Sequence, residues 1–91
     1  MLKFHTKTKS VTFTDKEVKL TEKNVTESFN KLLFTDNLSI SEKTVTFICG
    51  AYFVVIKGEF DETIQKMLRY AFYGDVEDAE LKVKSISIKE F

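Results

Sequence analysis

The chain has no proline, no tryptophan, three glycines, one cysteine and one histidine, and each scarcity closes a line of explanation. With Cys49 alone, no intramolecular disulfide can form and nothing marks an oxidising compartment, so a cytoplasmic protein is expected. With His5 alone beside it, the usual His/Cys ligand sets for zinc cannot be assembled, and no metal or other cofactor is expected. Gly50, Gly58 and Gly74 lie too far apart to match the phosphate-cradling or dinucleotide-binding glycine patterns. Charge of one sign is missing too: Lys plus Arg and Asp plus Glu each number 14. The general attraction that drives non-specific binding to nucleic acid or to a membrane surface is therefore absent. The longest mainly apolar stretch, Val45 to Ile56, is interrupted by Thr46 and Gly50 and falls short of the roughly 20 residues that span a bilayer. At the N-terminus Leu2 and Phe4 are interleaved with Lys3, Lys7 and Lys9 and do not form the block of a signal peptide. No low-complexity segment or internal repeat divides the chain.

What is present is apolar and aromatic: 43% of the 91 residues are hydrophobic, nine Phe and three Tyr among them. That is enough to build a core, and the length suits a single α+β domain over residues 1–91. Val11 and Phe13 alternate with polar residues, Thr14-Asp15-Lys16-Glu17 supplies turn chemistry, and Val18 and Leu20 resume the alternation. A hairpin follows, with Phe13 opposite Val18 and Val11 opposite Leu20, so that all four share one face. Leu2 and Phe4 predict a short strand before it. From Thr21 the spacing of Val25, Phe29, Leu32 and Leu33 predicts an amphipathic helix, with Asn24 and Glu27 spaced as a capping box and Thr35-Asp36-Asn37 as its stop. Leu38 and Ile40, a turn at Ser41–Thr44, then Val45, Phe47 and Cys49 predict two strands. Gly50-Ala51 suits a type II′ turn into a strand over Tyr52–Ile56, the alternative being one bent strand bulged at Gly50. Apolar residues at both parities in Phe53–Ile56 predict a strand covered on both faces or central in its sheet.

A second helix is predicted from Phe60, Ile64, Met67, Leu68, Ala71 and Phe72, with Asp61 and Glu62 in its first turn and Gly74 at its end. The last segment, with Leu81 and Val83 on one parity and Ile86 and Ile88 on the other, reads as a strand with a bulge near Ser85. The resulting order, ββ-α-βββ-α-β, predicts an antiparallel sheet with two helices packed on it, a ferredoxin-like core. Residues 21–73 share the element order of a double-stranded-RNA-binding domain. Glu59, Asp61 and Glu62 stand where its lysines would be, which argues against that reading.

No catalytic residues are assigned. Cys49 continues the apolar parity of Val45 and Phe47 and reads as a buried structural thiol, not as the nucleophile of a Cys–His pair. The stretch Gly50–Ile56 departs from the base-stacking strand of RNA-recognition motifs, with Cys49 in place of the basic residue and Ile56 in place of the last aromatic. Two surface features remain. Arg69, Tyr70 and Tyr73 lie off the apolar stripe of the second helix, and Tyr and Arg are enriched in interface hot spots. Asp75, Glu77, Asp78 and Glu80 form an acidic run that could imitate nucleic acid or attract a basic partner. The sequence thus predicts a non-enzymatic protein-interaction module with these contact candidates, its partner another protein or a second copy of the chain. Its size would suit an inhibitor or regulator encoded by a phage or other mobile element. A nucleic-acid-binding domain using the sheet face or the Lys3/Lys7/Lys9 strip is the alternative, and a small enzyme built on scattered carboxylates comes third.

Overall fold

The computed structural model describes residues 1–30, 38–73 and 76–90, and hairpins build most of it. Strands β1 (Leu2–His5), β2 (Lys9–Phe13), β3 (Glu17–Glu22), β4 (Val25–Asn30) and β8 (Ala79–Lys82) form one sheet in the order β4-β3-β2-β1-β8. Strands β5 (Ser39–Ile40), β6 (Thr44–Cys49), β7 (Tyr52–Lys57) and β9 (Ser85–Glu90) form a second in the order β5-β6-β7-β9. Helix α1 (Glu62–Tyr73) runs between β7 and β8. Neighbouring strands are antiparallel except β1 and β8, which run parallel.

A chain this poor in glycine needs another way to turn, and hydroxyl side chains supply it. At three hairpins the residue entering the turn is Thr6, Thr14 or Ser41, and its side-chain oxygen accepts the backbone N–H of the residue three positions on, at 3.2, 3.0 and 3.1 Å. Such side-chain bonds hold a turn without any positive φ. The β2–β3 hairpin has the expected register, Phe13 opposite Val18 and Val11 opposite Leu20.

The helix expected from Thr21 is not formed at residues 21–30. Lys23 and Asn24 take φ values of 51° and 65°, the two positive angles of a type I′ turn, and β4 folds back on β3 with Glu22 opposite Val25 and Val18 opposite Phe29. The spacing of four between Val25 and Phe29 serves a strand as well as a helix, since four is also a multiple of the strand period of two. Val25, Glu27 and Phe29 share one side of β4. The rest of that expected helix, Leu32, Leu33 and the stop at Thr35–Asn37, lies outside the described residues.

Three further expectations are sharpened. Gly50, at φ 60°, turns β6 into β7 with Cys49 opposite Tyr52, so the bent-strand alternative does not hold. Strand β7 is central, flanked by β6 and β9, but only one of its faces is fully covered: Val54 and Ile56 are buried, whereas Phe53 is 43% exposed. The change of parity near Ser85 is a crossing between sheets and not a bulge. The Val83 N–H donates to His5 O, extending the β1–β8 ladder, and the next N–H, of Lys84, donates to Lys57 O, opening the β7–β9 ladder. The α+β class holds, but a ferredoxin-like core needs two helices on one sheet, and the described residues form one helix and two sheets.

The helix forms from Glu62, two residues after the Phe60 at which its apolar spacing begins, and its expected end at Gly74 lies outside the described residues. Asp61 caps it, its carboxylate accepting the Ile64 N–H at 2.9 Å. Leu68, Ala71 and Phe72 point into the core. Phe72 stacks on Phe13 of the five-stranded sheet and Phe47 of the four-stranded sheet, with ring centroids 5.0 and 5.4 Å away. Phe13 also meets Phe4 and Phe47, so one ring ties both sheets and the helix into a single apolar cluster. Among the described residues no helix is long and apolar enough to cross a membrane.

Candidate functional site

The outer faces of the two sheets differ in kind. On the five-stranded sheet every position facing away from the core is polar or charged, from Lys3 and Ser10 to Lys19, Ser28 and Glu80. This is the ordinary pattern of a half-solvated antiparallel sheet. On the four-stranded sheet, the alternation that sends Val45, Phe47, Cys49, Val54 and Ile56 inward turns Ile48, Phe53 and Val55 outward. The register makes these three neighbours: Ile48 lies opposite Phe53, which lies opposite Lys89, and the adjoining row is Thr46, Val55 and Ser87. A third row, Thr44, Lys57 and Ser85, completes the face. An apolar centre is thus framed by hydroxyls and lysines.

Next to the Thr44–Lys57–Ser85 row lies an open cavity of about 570 Å³ lined by Lys43, Thr44, Lys57, Glu59, Lys82 and Lys84. Backbone bonds fix the segments that carry these lysines, Gly58 N–H to Lys43 O at 3.0 Å and Lys84 N–H to Lys57 O at 2.8 Å. Lys43 is paired with Glu59 at 2.6 Å, whereas Lys57, Lys82 and Lys84 have no ion-pair partner among the described residues. Beyond Glu59 the surface turns acidic, with Glu42, Asp61 and Glu62 around the start of α1.

A groove of about 310 Å³ opens between the sheets where Leu20, Val25 and Ile88 form an apolar floor under Glu27 and Tyr52. Of its polar groups, Glu22, Glu27 and Tyr52 have partners. The Tyr52 hydroxyl donates to Glu27 at 2.7 Å, and this bond to a carboxylate, helped by burial, raises the tyrosine's pKa. At the groove's end Lys9 Nζ donates to Ile86 O at 3.2 Å and lies 3.8 Å from Glu22, guarding the edge of β9 as lysines commonly guard strand edges.

The contact candidates read from the sequence are dispersed. Arg69 and Tyr70 are exposed on α1, Tyr70 at 66%, and no hydrogen bond or ion pair among the described residues joins them to the acidic run. Tyr73 ends the helix, and Asp75 lies outside the described residues. Glu77, Asp78 and Glu80 are exposed, and two of them have local partners: Asp78 accepts from the N-terminal ammonium, which holds its carboxyl below the usual range, and Glu80 lies 3.5 Å from His5 Nε2. Cys49 is fully buried, its thiol pushed up to about 12 by burial first and the charge of Glu27 second. His5 faces outward on β1, so the five-stranded sheet separates it from Cys49 and the two make no nucleophilic pair. Among the described residues no group of three or more His, Cys, Asp or Glu is placed to hold a metal ion.

Sequence reasoning weighed Phe53 and Val55 only as part of a base-stacking strand and did not single out Ile48, Phe53 and Val55 as a protein contact. Their signal was the apolar residues at both parities of Phe53–Ile56, which reads equally as burial on two faces or as one buried face and one sticky one. No protein-family model, curated protein or solved structure matches the chain.

Proposed function

We propose that the chain is a non-enzymatic binding module that docks onto another protein through the outer face of its four-stranded sheet. The observation that carries this reading is the contrast between the two outer faces: one wholly polar, the other centred on Ile48, Phe53 and Val55. Phe53 is exposed, with Ile48 and Val55 half-buried beside it, and a contiguous apolar patch rimmed by polar groups matches the apolar core and polar rim of a protein interface. Binding nucleic acid through a sheet calls for rings on neighbouring strands on which successive bases stack, and among the described residues this face carries one, Phe53.

Affinity capture from the native host with three forms of the chain tests the proposal. The wild type and Tyr70→Ala should retain the same polypeptide, and Ile48→Ser combined with Phe53→Ser should lose it. If Tyr70→Ala loses the partner and the sheet-face variant keeps it, the contact lies on the helix and the proposal fails.

A further inference from the structure

We infer that the protein docked on this sheet face is acidic, its carboxylates entering the cavity formed by Lys57, Lys82 and Lys84; the inference rests on the docking reading above. Every charged residue on the outward rows of the four-stranded sheet is a lysine: Lys57 in the middle of one end row, between Thr44 and Ser85, and Lys89 at the edge of the opposite one. The lysine cavity continues the Lys57 row, and its one carboxylate, Glu59, is committed to Lys43. Three lysines without ion-pair partners among the described residues thus line one cavity beside an apolar patch, on a chain whose total charge is zero. An anionic surface brought against them is attracted by each.

The shape of the charge argues for discrete carboxylates over a continuous polyanion. The acidic surface at Glu42, Asp61 and Glu62 begins where the cavity ends and would repel a phosphate backbone threaded through it. A protein can set a few acidic side chains in the cavity and present an apolar centre to Ile48, Phe53 and Val55, using both halves of the surface at once. The lysines would chiefly govern encounter rate and partner choice, as rim charges do, while the apolar centre holds the complex together.

The test uses the full chain and follows its backbone amide resonances during titration with three probes: a Glu/Asp-rich peptide carrying a central Leu-Phe pair, the same peptide with every acid replaced by its amide, and a single-stranded thymidine oligonucleotide of equal charge. The acidic peptide should shift Ile48, Phe53, Lys57 and Lys84 and bind at least about tenfold more tightly than its amide form. Lys57→Glu with Lys84→Glu should lower its affinity about tenfold, and Lys57→Gln with Lys84→Gln serves if charge reversal disturbs the fold. Rising salt should weaken binding, because exposed charges are screened. Equal affinity for the acid and amide peptides, with shifts still on the sheet face, overturns the acidic partner and leaves the docking face standing. Shifts centred on α1 overturn both. An oligonucleotide that binds as tightly as the acidic peptide, or an acidic peptide without effect at millimolar concentration, also overturns the inference.

Discussion

Two adjacent residues at the β6–β7 turn show how single side chains constrain this fold. Cys49 is buried in the protein's interior, and its thiol pKa rises from an ordinary 9.0 to about 12 because the interior disfavours the thiolate. Between those two pH values the folded state holds a proton that the unfolded state has released, so stability falls as pH rises. The slope is about 1.4 kcal/mol per pH unit for one such group. Denaturation of the wild type and of Cys49→Ala across pH 8 to 11 should therefore show the two converging as pH rises, the variant lacking the thiol's share of the slope. At Gly50, φ is 60° and a Cβ would sit 2.5 Å from the Phe29 ring. Backbone strain and steric clash act together there, and Gly50→Ala should cost about 1–3 kcal/mol by chemical denaturation. The glycine is legible in the sequence as a turn; the ring pressed against it is not, because the spacing of Phe29 from Val25 suits a helix as well as a strand.

Hairpin elements were legible wherever alternation and turn chemistry agreed. The β2–β3 register follows from Val11, Phe13, Val18 and Leu20; Asp61, expected inside the first turn of α1, stands just before it as its cap. The failure at β4 has a definite physical cause. Val25 and Phe29 satisfy both periods, Asn24 is a good cap as well as a good turn residue, and the pairing of β4 with β3 is a tertiary fact that settles which one applies. The turn itself can be tested. Neither Lys23 nor Asn24 is the residue best suited to its positive φ, and Lys23→Asn with Asn24→Gly supplies the preferred type I′ pair. The double variant should be more stable by about 1 kcal/mol. A loss of stability would mean that the β3–β4 connection is not a type I′ turn.

For the molecule as a whole, composition and periodicity revealed an α+β class and the content of an aromatic core, but not its division into two sheets. That division depends on the crossing at Val83 and Lys84, where two consecutive N–H groups bond to different sheets, and a change of parity in sequence does not distinguish a crossing from a bulge. The candidate surface was hidden for the same reason. Which parity of Phe53–Ile56 faces solvent is decided by what packs on the other side, and the lysines of the cavity come from three separate segments that only the fold brings together. The outer face of the four-stranded sheet is the proposed contact surface, and amide hydrogen exchange of the chain with and without its captured partner checks that assignment. Protection should increase over residues 44–48, 53–57 and 85–89 and stay unchanged over 66–70; protection confined to 66–70, with the sheet unaffected, would contradict it.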